Sequence, residues 1–158
     1  MPVAGGPGVG INPGALDTDR FYLQAPARAD ELAALRTAVW RHALALGAKA
    51  EVGQAIRLAV GEALTNVVMH AYVGREPGRM VVEAWREEGH LAVRVHDEGH
   101  GLIPRADSPG LGLGLGLMAQ MADDFRVANR EGQPGTTVSL RFALARLDAE
   151  CGCGRASA

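Results

Sequence analysis

Two pairs of alternating apolar runs, each closed by a short turn, constrain this chain more than any other feature. In the first pair Met80, Val82 and Ala84 alternate. Leu91, Val93 and Val95 then share one face against Ala92, Arg94 and His96, with Glu88-Gly89 between the two runs. Period two is strand geometry, and a Glu-Gly pair suits a hairpin turn. In the second pair Phe125 to Asn129 reads as a strand and Gly132 to Gly135 as a turn. Val138, Leu140, Phe142 and Leu144 form one face of the last strand. Strands joined this tightly pair antiparallel, because a parallel pair needs a long crossover. A doubly wound sheet, which alternates strand and helix, is therefore excluded.

The remaining segments complete the order. Phe21 to Gln24 reads as a strand that Pro26 ends. Leu32, Leu35, Val39 and Leu46 set a helical spacing from Arg28 onward, with Gly47 as its stop. A second helix runs from about Glu51 to Tyr72 on Val52, Ile56, Val60, Ala63, Leu64 and Val67, and Gly74, Pro77 and Gly78 punctuate a turn after it. After a loop over 97–110, residues 111–122 read as a third helix. The expected fold is an α+β two-layer sandwich: a mixed, mostly antiparallel sheet with helices on one face. Residues 19–146 form the domain. Residues 1–18, rich in Gly and Pro, read as a disordered leader, and 147–158 as a flexible tail.

Composition removes several functions. The net charge of −2 argues against a phosphate-tracking nucleic-acid binder. Lys49 is the one lysine, and it stands between Ala48 and Ala50, so there is no Walker A loop. Cys151 and Cys153 lie outside the patterned region, which excludes a disulfide framework or a Cys-x-x-Cys zinc site within the domain. No uncharged run of about 18 apolar residues is present, and Met1-Pro2-Val3 lacks a basic n-region. The expectation is a cytoplasmic protein without a membrane partner.

Four constellations could carry chemistry. Glu62, Asn66 and His70 are spaced i, i+4, i+8 and share one side of the second helix. Such a stripe fits a solvated face. It also fits a carboxylate base beside a carboxamide that offers Mg²⁺ a neutral oxygen. Asp97-Glu98-Gly99-His100-Gly101 follows a strand, and reads either as a tight turn or as the floor of a pocket with one acidic acceptor. The run from Gly110 to Met118 places glycine at every second position, which weakens a strand. Opening a helix instead, it would present backbone N–H groups to phosphate, or let elements pack closely. Gly135-Thr136-Thr137 enters the last strand and by itself says little.

In this order the pieces resemble the Bergerat-fold, or GHKL, ATPases. GEALTNVVMHAY is similar to their N box, DEGHG to the first glycine box, GLGLGLGLM to the second, and GTTV to the strand entry beside the adenine pocket. Within that superfamily the chain most resembles the bacterial anti-sigma regulatory factors, over roughly residues 20–145. The resemblance implies Mg-ATP as cofactor. It implies Glu62 as general base, Asn66 as Mg²⁺ ligand and Asp97 as acceptor for the adenine amino group. Gly99 and Gly101 would shape the base pocket, Gly110, Gly112 and Gly114 would run along the phosphates, and Thr136 would support the adenine side. His70 follows the pattern without a chemical step.

Glu62 stands where sensor histidine kinases usually carry Asn, which favours a serine or threonine hydroxyl as acceptor. The lid from Leu102 to Pro109 is short and holds two prolines; Arg105 is its one cation, near the phosphates or in solvent. The implied function is an anti-sigma factor and serine/threonine protein kinase. It would sequester a sigma factor and phosphorylate an anti-anti-sigma antagonist of the STAS type. Relatives often form a homodimer through the sheet. The short lid motivates a second reading, a nucleotide-gated partner-binding module with weak or no kinase activity.

Overall fold

The computed structural model describes residues 19–101 and 111–145. Glu88 and Gly89 both have positive φ, 47° and 79°, which is what a two-residue hairpin needs to match the twist of its strands. They close β2 (Arg79–Glu87) onto β3 (His90–Asp97), with Glu87 opposite His90 and Val82 opposite Val95. β4 (Asp124–Asn129) pairs with β5 (Thr136–Ala143), Phe125 opposite Leu140. β5 then lies against β3, and β1 (Arg20–Pro26) against β2. The strand order is β1-β2-β3-β5-β4, and every described pair is antiparallel. The expected α+β sandwich forms, with no parallel pair among the described strands.

One face of this sheet is covered by helices. α1 (Leu32–Ala45) buries Leu35, Val39 and Ala43, spaced by four; α2 (Ala50–Asn66) buries Val52, Ile56, Ala59, Val60, Ala63 and Leu64. These stripes meet Met80, Val82, Ala84, Leu91, Val93, Val95, Val138, Leu140 and Phe142 in one core. Each such large side chain contributes about 1.5–3 kcal/mol on burial. Gly47, at φ 90°, stops α1 as expected. The Ala48 N–H reaches back to the Ala43 carbonyl and the Gly47 N–H to that of Leu44, a glycine-terminated helix end that satisfies two orphan carbonyls. Gly53 sets the approach of the two helices: a Cβ there would lie 3.0 Å from Leu44 Cδ2.

The second helix departs from its expected span. It is regular through Asn66, and its last turn, Val67–Ala71, widens to a π-turn. In this arrangement the Ala71 carbonyl accepts a hydrogen bond from the His100 N–H at 2.9 Å. α3 (Leu111–Met121) packs along α2 and buries Met118 in the core. The sheet face turned away from the helices carries Glu83, Trp85, Arg94 and His96, with Arg94 5.1 Å over the Trp85 ring and 3.7 Å from Glu83. Val81 and Ala92 on that face are 2% and 4% exposed.

Candidate functional site

Glu62 and Asn66 stand one turn apart on α2, both half-buried. What lies against them is the first turn of α3. A Cβ on Gly114 would be 3.0 Å from Glu62 Oε2, 3.7 Å from Asn66 Nδ2 and 3.8 Å from its Oδ1. Gly114 is glycine because the helices approach each other at this pair. The first four N–H groups of an α-helix have no partner inside it, and they carry the positive end of its dipole. Gly112 and Gly114 both belong to that turn. A carboxylate, a carboxamide and the amides of a helix's first turn therefore share one place, the combination that proton transfer and anion binding require.

Asp97 ends β3 and is the one buried charged residue among those described, at 3% exposed. Its Oδ1 accepts the Gly99 N–H at 2.8 Å and the Thr136 N–H at 3.3 Å. Burial pushes its carboxyl above the ordinary range, and the Gly99 and Thr136 N–H groups pull it partly back. The glycines around it are held by the chain's own backbone. A Cβ on Gly99 would stand 2.0 Å from the Ala71 oxygen, and one on Gly135, at φ 108°, 2.0 Å from the Asp97 oxygen. Gly101, at φ 78°, faces Asn129 Oδ1 at 2.8 Å from its ideal Cβ.

The loop after Asp97 is tied to both neighbours. The Glu98 N–H donates to the Tyr72 hydroxyl at 2.9 Å, and that hydroxyl donates to the Arg79 carbonyl at 2.5 Å. Burial raises the Tyr72 hydroxyl pKa, against the Glu98 N–H that lowers it, so it stays protonated and able to donate. The Glu98 carboxylate pairs with Arg79. His100 lies between the Arg75 guanidinium, 2.7 Å from Nδ1, and the Val73 carbonyl, 3.0 Å from Nε2. Arg75 can only donate, so Nδ1 accepts and Nε2 carries the proton. On the other side Arg130 Nη1 donates to the Asp97 carbonyl at 3.3 Å.

Of the residues singled out in the sequence, the structure gathers Glu62, Asn66 and Gly114 at one end and Asp97, Gly99, Gly101 and Thr136 at the other. Arg105 and Gly110, the rest of the lid, the leader, the tail and both cysteines lie outside the described residues. Sequence reasoning did not reach Tyr72 or Arg130 as parts of the site. Tyr72 is the last residue of the GEALTNVVMHAY motif and was given no role there; Arg130 carried no local signal. Among the described residues no group of three His, Cys, Asp or Glu side chains could hold a metal. None of their helices is long and apolar enough to cross a membrane.

A family model described as the histidine kinase-like ATPase domain matches residues 25–142. The serine-protein kinase RsbW of Listeria monocytogenes is 33% identical over 129 residues, covering 72% of this chain and 82% of that protein. The anti-sigma F factor of Halalkalibacterium halodurans is 30% identical over 107 residues, covering 61% and 73%. The crystal structure of the RsbU and RsbW domains of Rv1364c from Mycobacterium tuberculosis superposes with a TM-score of 0.63 at 22% identity, over 81% of this chain and 33% of that one.

Proposed function

The chain belongs to the histidine kinase-like ATPase family, and from that premise we propose that it is an ATP-dependent serine/threonine protein kinase that also acts as an anti-sigma factor. It sequesters a sigma factor and phosphorylates an anti-anti-sigma antagonist, a protein of the STAS type. The relatives named as a serine-protein kinase and an anti-sigma F factor support this reading. The observation that carries it is the meeting of Glu62 and Asn66 with the first turn of α3.

In this reading Asp97 accepts a hydrogen bond from the adenine amino group, with Thr136, Gly99 and Gly101 framing the base. Oδ1 is engaged by two backbone amides, so Oδ2 faces the ligand. The amides of Gly112 and Gly114 run along the phosphates. The donor set fits magnesium: the Asn66 oxygen contributes one neutral ligand, and phosphate oxygens and water supply the rest. Bound there, the ion would neutralise phosphate charge. Glu62 takes the proton of the acceptor hydroxyl as its oxygen bonds to the γ-phosphorus. The bond from phosphorus to the β–γ bridging oxygen breaks, and ADP leaves. The new phosphate adds nearly two negative charges to the antagonist and repels it from the Glu62 side. In this reading a second copy of the chain pairs through the sheet.

The test is phosphate transfer from labelled ATP to a cognate antagonist. Glu62→Ala is expected to lower the rate about 10²–10⁴-fold while ATP still binds. Undiminished transfer in that variant overturns the role of Glu62. Nucleotide binding and sigma sequestration without any transfer by the wild-type chain would leave a nucleotide-gated binding module.

A further inference from the structure

Three consecutive amides of the loop after Asp97 are tied down. The Gly99 N–H goes to Asp97 Oδ1, the His100 N–H to the Ala71 carbonyl, and the Glu98 N–H to the Tyr72 hydroxyl. Two of these ties lead to the end of α2. The Tyr72 hydroxyl also donates to the Arg79 carbonyl, so one oxygen joins the widened turn, the start of β2 and the residue after Asp97. Its ring is fixed as well. Gly78 lies beneath it so closely that a Cβ there would be 2.2 Å from Tyr72 Cε1.

We propose that Tyr72 is a positioning residue for base recognition: it fixes the Glu98 peptide, and through it the direction in which Asp97 presents its carboxylate to the purine. This rests on the reading of Asp97 as the acceptor for the adenine amino group. The plane of the Asp97 carboxylate is set by the backbone that anchors it, chiefly the Gly99 N–H at 2.8 Å. The direction of that N–H follows the Glu98–Gly99 peptide, and Tyr72 holds the Asp97–Glu98 peptide next to it through the Glu98 N–H. Adenine presents an amino donor where guanine presents a carbonyl oxygen. A carboxylate held in place accepts from the first and repels the second; one free to turn discriminates less. The phosphate end of the site, Glu62 and Asn66, makes no use of the Tyr72 hydroxyl. Losing that hydroxyl therefore weakens base selectivity and spares general nucleotide affinity.

The experiment titrates the full chain with Mg-ATP and with Mg-GTP, using the wild type, Tyr72→Phe, Gly78→Ala and Asp97→Asn. Phenylalanine keeps the ring over Gly78 and removes only the hydroxyl. Alanine at 78 displaces the ring and keeps the hydroxyl, so the two variants break the same tie by different routes. Tyr72→Phe is expected to lower the ATP-over-GTP preference about tenfold, the worth of one hydrogen bond, with GTP affinity unchanged within about twofold. Gly78→Ala is expected to do the same. An unchanged preference in Tyr72→Phe, or equal losses for both nucleotides, overturns the positioning role. If Asp97→Asn abolishes the preference in that same series, the base reading survives and only the Tyr72 assignment falls. If Asp97→Asn keeps the wild-type preference, the base reading is wrong and this inference fails with it.

Discussion

A methyl group on Gly99 would stand 2.0 Å from the Ala71 oxygen, and one on Gly135 would stand 2.0 Å from the Asp97 oxygen. Neither neighbour is the end of a flexible side chain, so backbone must move. Gly89 offers the contrast: it also has positive φ, 79°, but nothing lies within 4 Å of its ideal Cβ. Gly89→Ala should cost only the strain of the left-handed conformation, about 1–2 kcal/mol. Gly99→Ala and Gly135→Ala should cost about 3 kcal/mol or more, because overpacking acts directly on the strand ends. Urea unfolding midpoints separate the two classes, and equal losses at all three positions would refute the steric account. Asp97 poses a different residue-scale question. Its carboxyl is raised by burial, so its contribution to stability is largest below the unfolded value and is lost as pH rises through the folded one. Ionised, the carboxylate therefore works against the ligand-free fold. Asp97→Asn should raise the melting temperature of the free chain. The same variant should reduce the further rise that Mg-ATP produces. A variant less stable than the wild type at pH 7.5 would contradict this.

At the scale of elements, two of the three glycines of α3 carry opposite expectations. Gly116 is exposed with nothing within 4 Å, and alanine is a better helix former than glycine by about 1 kcal/mol. Gly116→Ala should stabilise by up to that amount and leave phosphate transfer unchanged. Gly114→Ala gains the same propensity, but its methyl presses on Glu62 Oε2 from 3.0 Å. The carboxylate can swing away, so stability should hold while transfer falls about tenfold or more, since misplacement of a base is costly. Thermal unfolding and labelled-phosphate transfer, measured together, check both; a Gly114→Ala enzyme with full activity would show that Glu62 does not act from the observed position. The elements themselves were legible because each has one period. Met80, Val82 and Ala84 alternate, Leu35 and Val39 are spaced by four, and Glu88-Gly89 and Gly47 carry the φ their turns need. The widening at Val67–Ala71 was not legible, because the apolar pattern runs through it unbroken and its partner, the His100 N–H, comes from a distant loop. For the same reason the glycines near the site could be found but not explained. DEGHG signals a turn, yet what presses on Gly99 is the Ala71 carbonyl in the widened turn that follows α2.

At the scale of the whole molecule, two histidines on opposite sides of the sheet couple the fold to acid. His42 sits where α1 crosses the start of the sheet, its ring 5.2 Å from that of Phe21, and its Nε2 is buried without a hydrogen-bond partner. His96 lies on the opposite sheet face, half-buried beside Glu83, Arg94, Arg130 and Arg79. Burial lowers both pKa values; Asp19 opposes this at His42, and Glu83 opposes it at His96. Their sign is therefore the reverse of a histidine that gains a partner. The unfolded chain takes up protons near pH 6.5, the folded chain only at lower pH, and stability falls as pH drops through that window. Asp97 acts with the other sign: its carboxyl is raised by burial, so its protonation favours the folded chain as pH falls. The histidines should hence lower the melting temperature from pH 7.5 towards pH 5.5, and the protonation of Asp97 opposes that decline. His42→Phe keeps the stack on Phe21 and removes both the titration and the unpaired nitrogen. It should equal or exceed the wild type at pH 5.5 and flatten that part of the profile, leaving the share that His96 supplies. Melting curves at half-unit pH steps decide the matter: a His42→Phe profile parallel to the wild-type one would mean that the buried imidazole does not couple folding to pH.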